Sequence, residues 1–148
     1  MKFKFSNKKI TGILTILPEN EVTFEEGMKN YNFSETQCKK LKKVMGYDKR
    51  RVVKDGVCSS DLASEGLEYL FKNKLLAKDD IDALLFLTQT PDYILPATSN
   101  ILQDKFGLKQ DMFCLDINQG CGGFMAGLLQ ALIMLDQQEF NKVLLINA

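Results

Sequence analysis

The side chain best suited to nucleophilic chemistry in this sequence is cysteine, present at Cys38, Cys58, Cys114 and Cys121, and the last of these stands apart from the others. In Asp116-Ile-Asn-Gln-Gly-Cys-Gly-Gly-Phe124, Cys121 lies between glycines, after an apolar strand-like run and before an apolar helix-like one. A thiol at a strand-to-helix turn faces the unsatisfied N–H groups and the positive dipole end of the helix, which favour thiolate over thiol. A thiolate so placed can attack a carbonyl carbon. Gly120, Gly122 and Gly123 allow a sharp turn and leave space beside the sulfur for a substrate carbonyl. A small buried cysteine in a Gly-rich turn fits the same letters equally well. Cys38, Cys58 and Cys114 lack such a turn and read as packing residues. Asp116, five residues before Cys121, reads as a structural carboxylate satisfied by nearby backbone N–H groups rather than as a catalytic acid.

The chain has no histidine. A tetrahedral Cys/His zinc site is therefore not expected, since no two cysteines share a CxxC spacing either. Nor is there an imidazole to serve as the general base that normally accompanies a cysteine nucleophile in acyl transfer. The sequence also ends at Ala148 inside an apolar strand pattern. Both features lead to the expectation that residues 1–148 are the N-terminal part of a longer protein whose C-terminal half is absent.

With 148 residues, 45% hydrophobic and 26% charged, the composition is that of one soluble globular domain able to bury a core. Nineteen basic and 19 acidic residues leave no net field to attract nucleic acid or an anionic membrane. Unpaired thiols point to a reducing, cytoplasmic setting. Lys2, Lys4, Lys8 and Lys9 ahead of Ile10–Leu17 imitate a signal peptide, but the apolar run is short and no small-residue cleavage site follows. That run reads as a buried first strand, and no stretch approaches the roughly 20 apolar residues a membrane span needs.

The elements that must position Cys121 follow from periodicity. A short helix is expected through Glu25–Asn30, then a helix opened by Ser34 with Gln37 in a capping box and stopped at Gly46. Arg50–Lys54 is a short strand or an extended loop. Leu62, Ala63, Leu67, Leu70 and Phe71 mark one face of a helix from Ser59 or Ser60 to about Leu76. Asp82–Leu87 is apolar on both faces, as in a covered parallel strand. A helix over Thr98–Phe106 ending at Gly107, a strand over Met112–Ile117 and a strand over Lys142–Ala148 complete the alternation. Phe124, Met125, Leu128, Leu129, Leu132, Ile133 and Leu135 surround the helix after Cys121, which predicts burial on nearly every side. Alternating strands and helices imply an α/β, mainly parallel sheet with functional loops at the strand C-terminal ends, where Thr88-Gln-Thr90 and the Cys121 turn both lie.

The Cys121 stretch resembles the nucleophile motif of the beta-ketoacyl-acyl-carrier-protein synthase III family in the thiolase superfamily. Thr88-Gln-Thr-Pro-Asp-Tyr-Ile-Leu-Pro-Ala-Thr98 is similar to that family's Thr, Pro-Asp-Tyr and Pro-Ser/Ala-Thr loop, and Lys142–Ala148 to the strand after its nucleophile helix. From Ile10 onward the order and spacing agree. The resemblance implies a thiolase-like fold, N-terminal half, with the nucleophile helix central and buried. It implies that Cys121 takes an acyl group from a coenzyme A thioester, used as substrate and not as a bound cofactor, with its own backbone N–H in the oxyanion hole. A malonyl unit on acyl carrier protein would then lose CO2 and attack the acyl group, aided by a His and an Asn of the second half. By the same resemblance Thr36, Arg50, Leu95, Gly122 and Phe124 border the substrates, with Leu95 crossing a homodimer interface into the partner's acyl pocket. No metal, nucleic acid or membrane partner is implied.

Two positions depart from the pattern. The Trp that stacks on adenine in well-known members falls on Lys40, and a nucleotide-contacting Arg falls on Val44. The basic run Lys39, Lys40, Lys42, Lys43, Lys49, Arg50, Arg51 and Lys54 reads as a phosphate or acidic-carrier site, or as a solvated helix face. Three alternatives stay open: a hydroxymethylglutaryl-coenzyme A synthase or other condensing relative, a non-catalytic carrier-binding module, and a redox thiol paired in space with Cys114.

Overall fold

The computed structural model describes residues 2–148. The chain divides into two compact units: Leu17–Val57, and the segment up to Ile16 together with Cys58–Ala148.

Within Leu17–Val57, β1 (Glu21–Thr23) runs into α1 (Phe24–Met28), and α2 (Glu35–Met45) leads to β2 (Lys49–Arg51). The two strands pair antiparallel with Val22 opposite Arg50, so the uncertain Arg50–Lys54 stretch is a strand only at its start. The expected capping box is formed: the Gln37 N–H donates to Ser34 Oγ at 3.3 Å and the Ser34 N–H to Gln37 Oε1 at 2.8 Å. Gly46 ends α2 at φ 73°, a left-handed conformation that costs a residue without Cβ little. Phe24 is buried, its ring edge-on to Tyr47 at 5.4 Å.

The second unit is built around α3 (Ser59–Lys72), β3 (Ala83–Thr88), α4 (Thr98–Phe106), β4 (Phe113–Asn118), α5 (Gly123–Met134) and β5 (Val143–Asn147). Helix α3 stops before Leu76, because the Asn73 side chain donates to the Tyr69 carbonyl at 2.8 Å and Lys74 turns to φ 56°. The sheet order is β4-β3-β5, all parallel, with Leu85 level with Leu115 and Leu145. Strand β3, in the middle, is buried along its whole length, as its two-faced apolar pattern requires.

Alternation divides the core into two layers. Leu84 and Phe86 face Ala63 and Leu67 of α3 and Leu102 and Phe106 of α4. Ala83 and Leu85 face Ala131 and Met134 of α5. Helix α5 therefore lies on the opposite side of the sheet from α3 and α4. It buries Gly123, Gly127, Ala131 and Met134, one stripe at helical spacing. Phe124 and Met125 on its outward side are 50% and 65% exposed. The all-round apolar pattern is thus met by burial mainly on the side that faces the sheet of this unit.

The expected first strand is a correction. Ile10–Leu17 has no strand conformation and pairs with neither sheet, and Ile13 is 86% exposed. Strand geometry is stable only when a neighbouring strand takes its N–H and C=O groups, and none does so here. Among the described residues no helix is long and apolar enough to cross a membrane.

Candidate active site

The Cys121 turn is set by how closely α5 approaches the sheet. An added Cβ on Gly123 would lie 2.8 Å from Leu87 Cδ2, and one on Gly127 would lie 2.9 Å from Leu145 Cδ1. Both positions therefore need glycine for the helix to sit this near the strand ends. One turn earlier, a Cβ on Gly120 would meet Gln89 Oε1 at 2.6 Å. The Gly123 N–H donates to the Gly120 carbonyl at 2.8 Å, which closes the backbone turn around Cys121 and Gly122. Gly122 is the N-cap of α5, and Cys121 immediately precedes it with an exposed side chain. Cys121 is thus exposed to solvent at the N-terminal end of a helix of 12 residues.

Carboxylates lock the neighbouring elements. Both Asp116 oxygens accept from the start of α4, from the Thr98 N–H at 2.6 Å and the Ser99 N–H at 2.8 Å. Asp116 is therefore the cap of α4, a role the sequence suggested in kind without identifying the helix. Asp92 does the same for α3: it accepts from the Ser60 hydroxyl and, at 3.4 Å, from the Ser60 N–H. The Ser59 hydroxyl donates to the Thr90 carbonyl at 3.2 Å, and the Thr90 N–H to Thr88 Oγ1 at 3.1 Å. The loop after β3 is thus tied at Thr88, Thr90 and Asp92. Sequence reasoning placed this loop near the site but assigned no role to Asp92 or Gln89. The available signal was periodicity, since Gln89 continues the Ala83, Leu85, Leu87 face that packs on α5.

Leu95 lies further along the same loop and is 82% exposed, with Tyr93 and Ile94 exposed beside it. Cys121, Gly122, Phe124 and Leu95 all belong to the unit that holds the parallel sheet. Thr36 and Arg50 belong to the Leu17–Val57 unit, Thr36 exposed in the first turn of α2 and Arg50 exposed on β2, its guanidinium over Gly27. In that unit much of the basic run is already paired: Lys39 with Glu35, Lys42 with Glu25 and Asp48, and Lys49 with Glu21. The solvated-face reading of the run is therefore the better supported one. Lys40 and Val44, at the departing positions, border a depression of about 310 Å³ together with Phe33, Gln37 and Leu41.

Cys114 is no partner for Cys121. It packs with the α3 and α4 layer, across the sheet from α5, and burial first and the Asp116 charge second push its thiol up. From that layer it is not placed to pair with Cys121 as a redox thiol. Among the described residues no cluster of His, Cys, Asp or Glu could hold a metal ion.

No protein-family model matches the chain. A beta-ketoacyl-[acyl-carrier-protein] synthase III of Fusobacterium nucleatum is 32% identical over 142 residues, 94% of this chain and 41% of that protein. A 3-oxoacyl-(acyl-carrier protein) synthase from Burkholderia xenovorans superposes with a TM-score of 0.76 at 29% identity, covering 88% of this chain and 37% of the other. Xanthomonas campestris OleA superposes with a TM-score of 0.74 at 21% identity over 89% of this chain and 40% of its own, a likeness of fold alone. The chain spans about two fifths of the length of the curated relatives it matches.

Proposed function

Because the chain belongs to the beta-ketoacyl-[acyl-carrier-protein] synthase III family and has the N-terminal half of its thiolase-like fold, we propose that Cys121 is the nucleophile of a decarboxylative thioester condensation. The Cys121 thiolate attacks the carbonyl carbon of an acyl-coenzyme A. An S–acyl bond forms, the bond to coenzyme A breaks, and the released thiol takes up the proton that Cys121 gave away. The backbone N–H of Cys121 supplies part of the oxyanion hole at the carbonyl oxygen. A malonyl thioester on acyl carrier protein then loses CO2. The carbanion so formed attacks the acyl carbon, making a C–C bond and returning Cys121 as thiolate.

The observation that carries this proposal is an exposed cysteine directly before the N-cap of α5, in a turn where Gly123 lies in close contact with Leu87 and Gln119. Decarboxylation needs groups this chain lacks, since it has no histidine. Residues 1–148 therefore make up the acyl-accepting half, and the His and Asn come from the portion of the relatives' length without a counterpart here. The exposed Tyr93-Ile-Leu95 tip fits a homodimer interface, Gly122 and Phe124 beside Cys121 border the acyl group, and four free thiols fit a cytoplasmic protein.

Incubation of the full-length protein with radiolabelled acetyl-coenzyme A tests the first step. Label is expected at Cys121 and absent from the Cys121→Ala variant. One observation favours a second reading: Lys40 and Val44 replace the adenine-facing residues the resemblance implies, as a carrier-binding module without catalysis would allow. No label on the wild type under any acyl thioester would establish that module instead. A substrate panel that included acetoacetyl-coenzyme A would distinguish a hydroxymethylglutaryl-coenzyme A synthase-like relative.

A further inference from the structure

The face of β3 that packs on α5 is apolar for three alternate residues and then changes character. Ala83 and Leu85 pack with Ala131 and Met134, and an added Cβ would strike Leu87 at Gly123 and, after Leu145 of β5, at Gly127. Gln89, next on that face and just past the strand, ends with its carboxamide oxygen 2.6 Å from where a Gly120 Cβ would stand. Along this face Leu87 thus lies against Gly123 and Gly127 of α5, and Gln89 against Gly120 of the Cys121 turn. Only the last of these neighbours is a polar side chain, and it lies beside the residue that precedes Cys121. The bare Gly120 Cα leaves the room in which the carboxamide lies, and the Gly123 N–H bond to the Gly120 carbonyl transmits the position of Gly120 to the start of α5.

We propose that Gln89 is a positioning residue for the acylation of Cys121, its carboxamide across Gly120 fixing the angle at which the turn presents the sulfur to a thioester carbonyl. This rests on Cys121 being the acyl acceptor. Attack on a carbonyl demands a defined approach of sulfur to carbon, and small misplacements of a reacting atom are costly. Alkylation by a small mobile reagent demands far less orientation. Gln89 therefore governs acylation and leaves alkylation alone.

The test compares two reactions at one sulfur in the full-length protein. Gln89→Ala is expected to slow acylation of Cys121 by acetyl-coenzyme A about tenfold, with its half-saturation concentration unchanged, while alkylation of Cys121 by iodoacetamide stays within about twofold of wild type. Gly120→Ala alone is expected to slow acylation more, because its new Cβ collides with Gln89. In the double variant that collision is gone, so its loss is smaller than the product of the two single losses. Gln89 is exposed, so the Gln89→Ala protein should show a wild-type circular dichroism spectrum even if Gly120→Ala folds poorly. Wild-type acylation in Gln89→Ala, parallel loss of alkylation, or strictly multiplicative single losses would each overturn the role of Gln89 while leaving Cys121 as acceptor. A wild-type protein whose Cys121 never acylates would overturn both.

Discussion

Replacing Asp116 by alanine removes the acceptor of two N–H groups at the start of α4, those of Thr98 at 2.6 Å and Ser99 at 2.8 Å. Thr98 and Ser99 are fully buried, so water reaches their N–H groups poorly once the carboxylate is gone. Each stranded buried donor costs about 1–3 kcal/mol, and loss of a helix N-cap by itself costs about 1 kcal/mol. Since these overlap, the expected loss for Asp116→Ala is about 3 kcal/mol. Asp116→Asn keeps one acceptor oxygen and loses the charge at the positive helix end, so about half that loss is expected. At about 2–4 °C per kcal/mol for a chain of this size, Asp116→Ala should lower Tm by roughly 9 °C. Urea unfolding followed by far-UV circular dichroism measures the free energy, and an unchanged m-value shows that the compared states are the same. A loss below about 1 kcal/mol would refute the capping role. If Asp116→Asn were as stable as wild type but no longer acylated at Cys121, the carboxylate would belong to the chemistry after all.

Gly127→Val places branched carbons where even a Cβ would lie 2.9 Å from Leu145 and 3.1 Å from Leu87. It should destabilise by about 2 kcal/mol in the same unfolding assay, and a neutral result would mean that α5 can lift from the sheet without cost. Asp82 is the half-buried hub that accepts from Lys109 Nζ at 2.8 Å and from the N–H groups of Asn141 and Lys142 at 2.8 and 3.0 Å. Burial pushes its carboxyl up, but these hydrogen bonds and the Lys109 charge together outweigh burial and hold it below the ordinary value. A carboxyl depressed in the folded state stabilises the fold above its unfolded pKa of about 3.9, and that contribution fades as pH falls through the lower folded value. Asp82→Asn should therefore be less stable than wild type at neutral pH, with the gap narrowing below about pH 4; a gap independent of pH in urea titrations would contradict the assignment. Leu95→Asp should weaken a dimer in analytical ultracentrifugation, and a dimer indifferent to that change would remove the loop tip from the interface.

Local signals were the most legible. The Ser34 and Gln37 capping box, the left-handed Gly46 and Gly107 helix ends and the two-faced apolar run of β3 all act through neighbours in sequence, and each took the form its residues dictate. Asp116 was recognisable as structural because a carboxylate at a strand end seeks N–H groups, yet nothing nearby in sequence says that those groups begin α4. Ile10–Leu17 misled because its apolar character is compatible with a strand, while strand formation depends on a partner that composition cannot reveal.

By its own residue order the chain determined where the proposed nucleophile stands: a cysteine between glycines at the head of an apolar helix, with no histidine to serve it. Tertiary structure decided what surrounds that sulfur. Parallel pairing of β3 with β4 aligns Thr88 with Asn118, bringing the loop after one strand beside the turn after the other and Gln89 onto Gly120. Such contacts join residues about 30 positions apart, and their existence depends on strand register and on how near a helix can approach a sheet, two quantities no local pattern encodes.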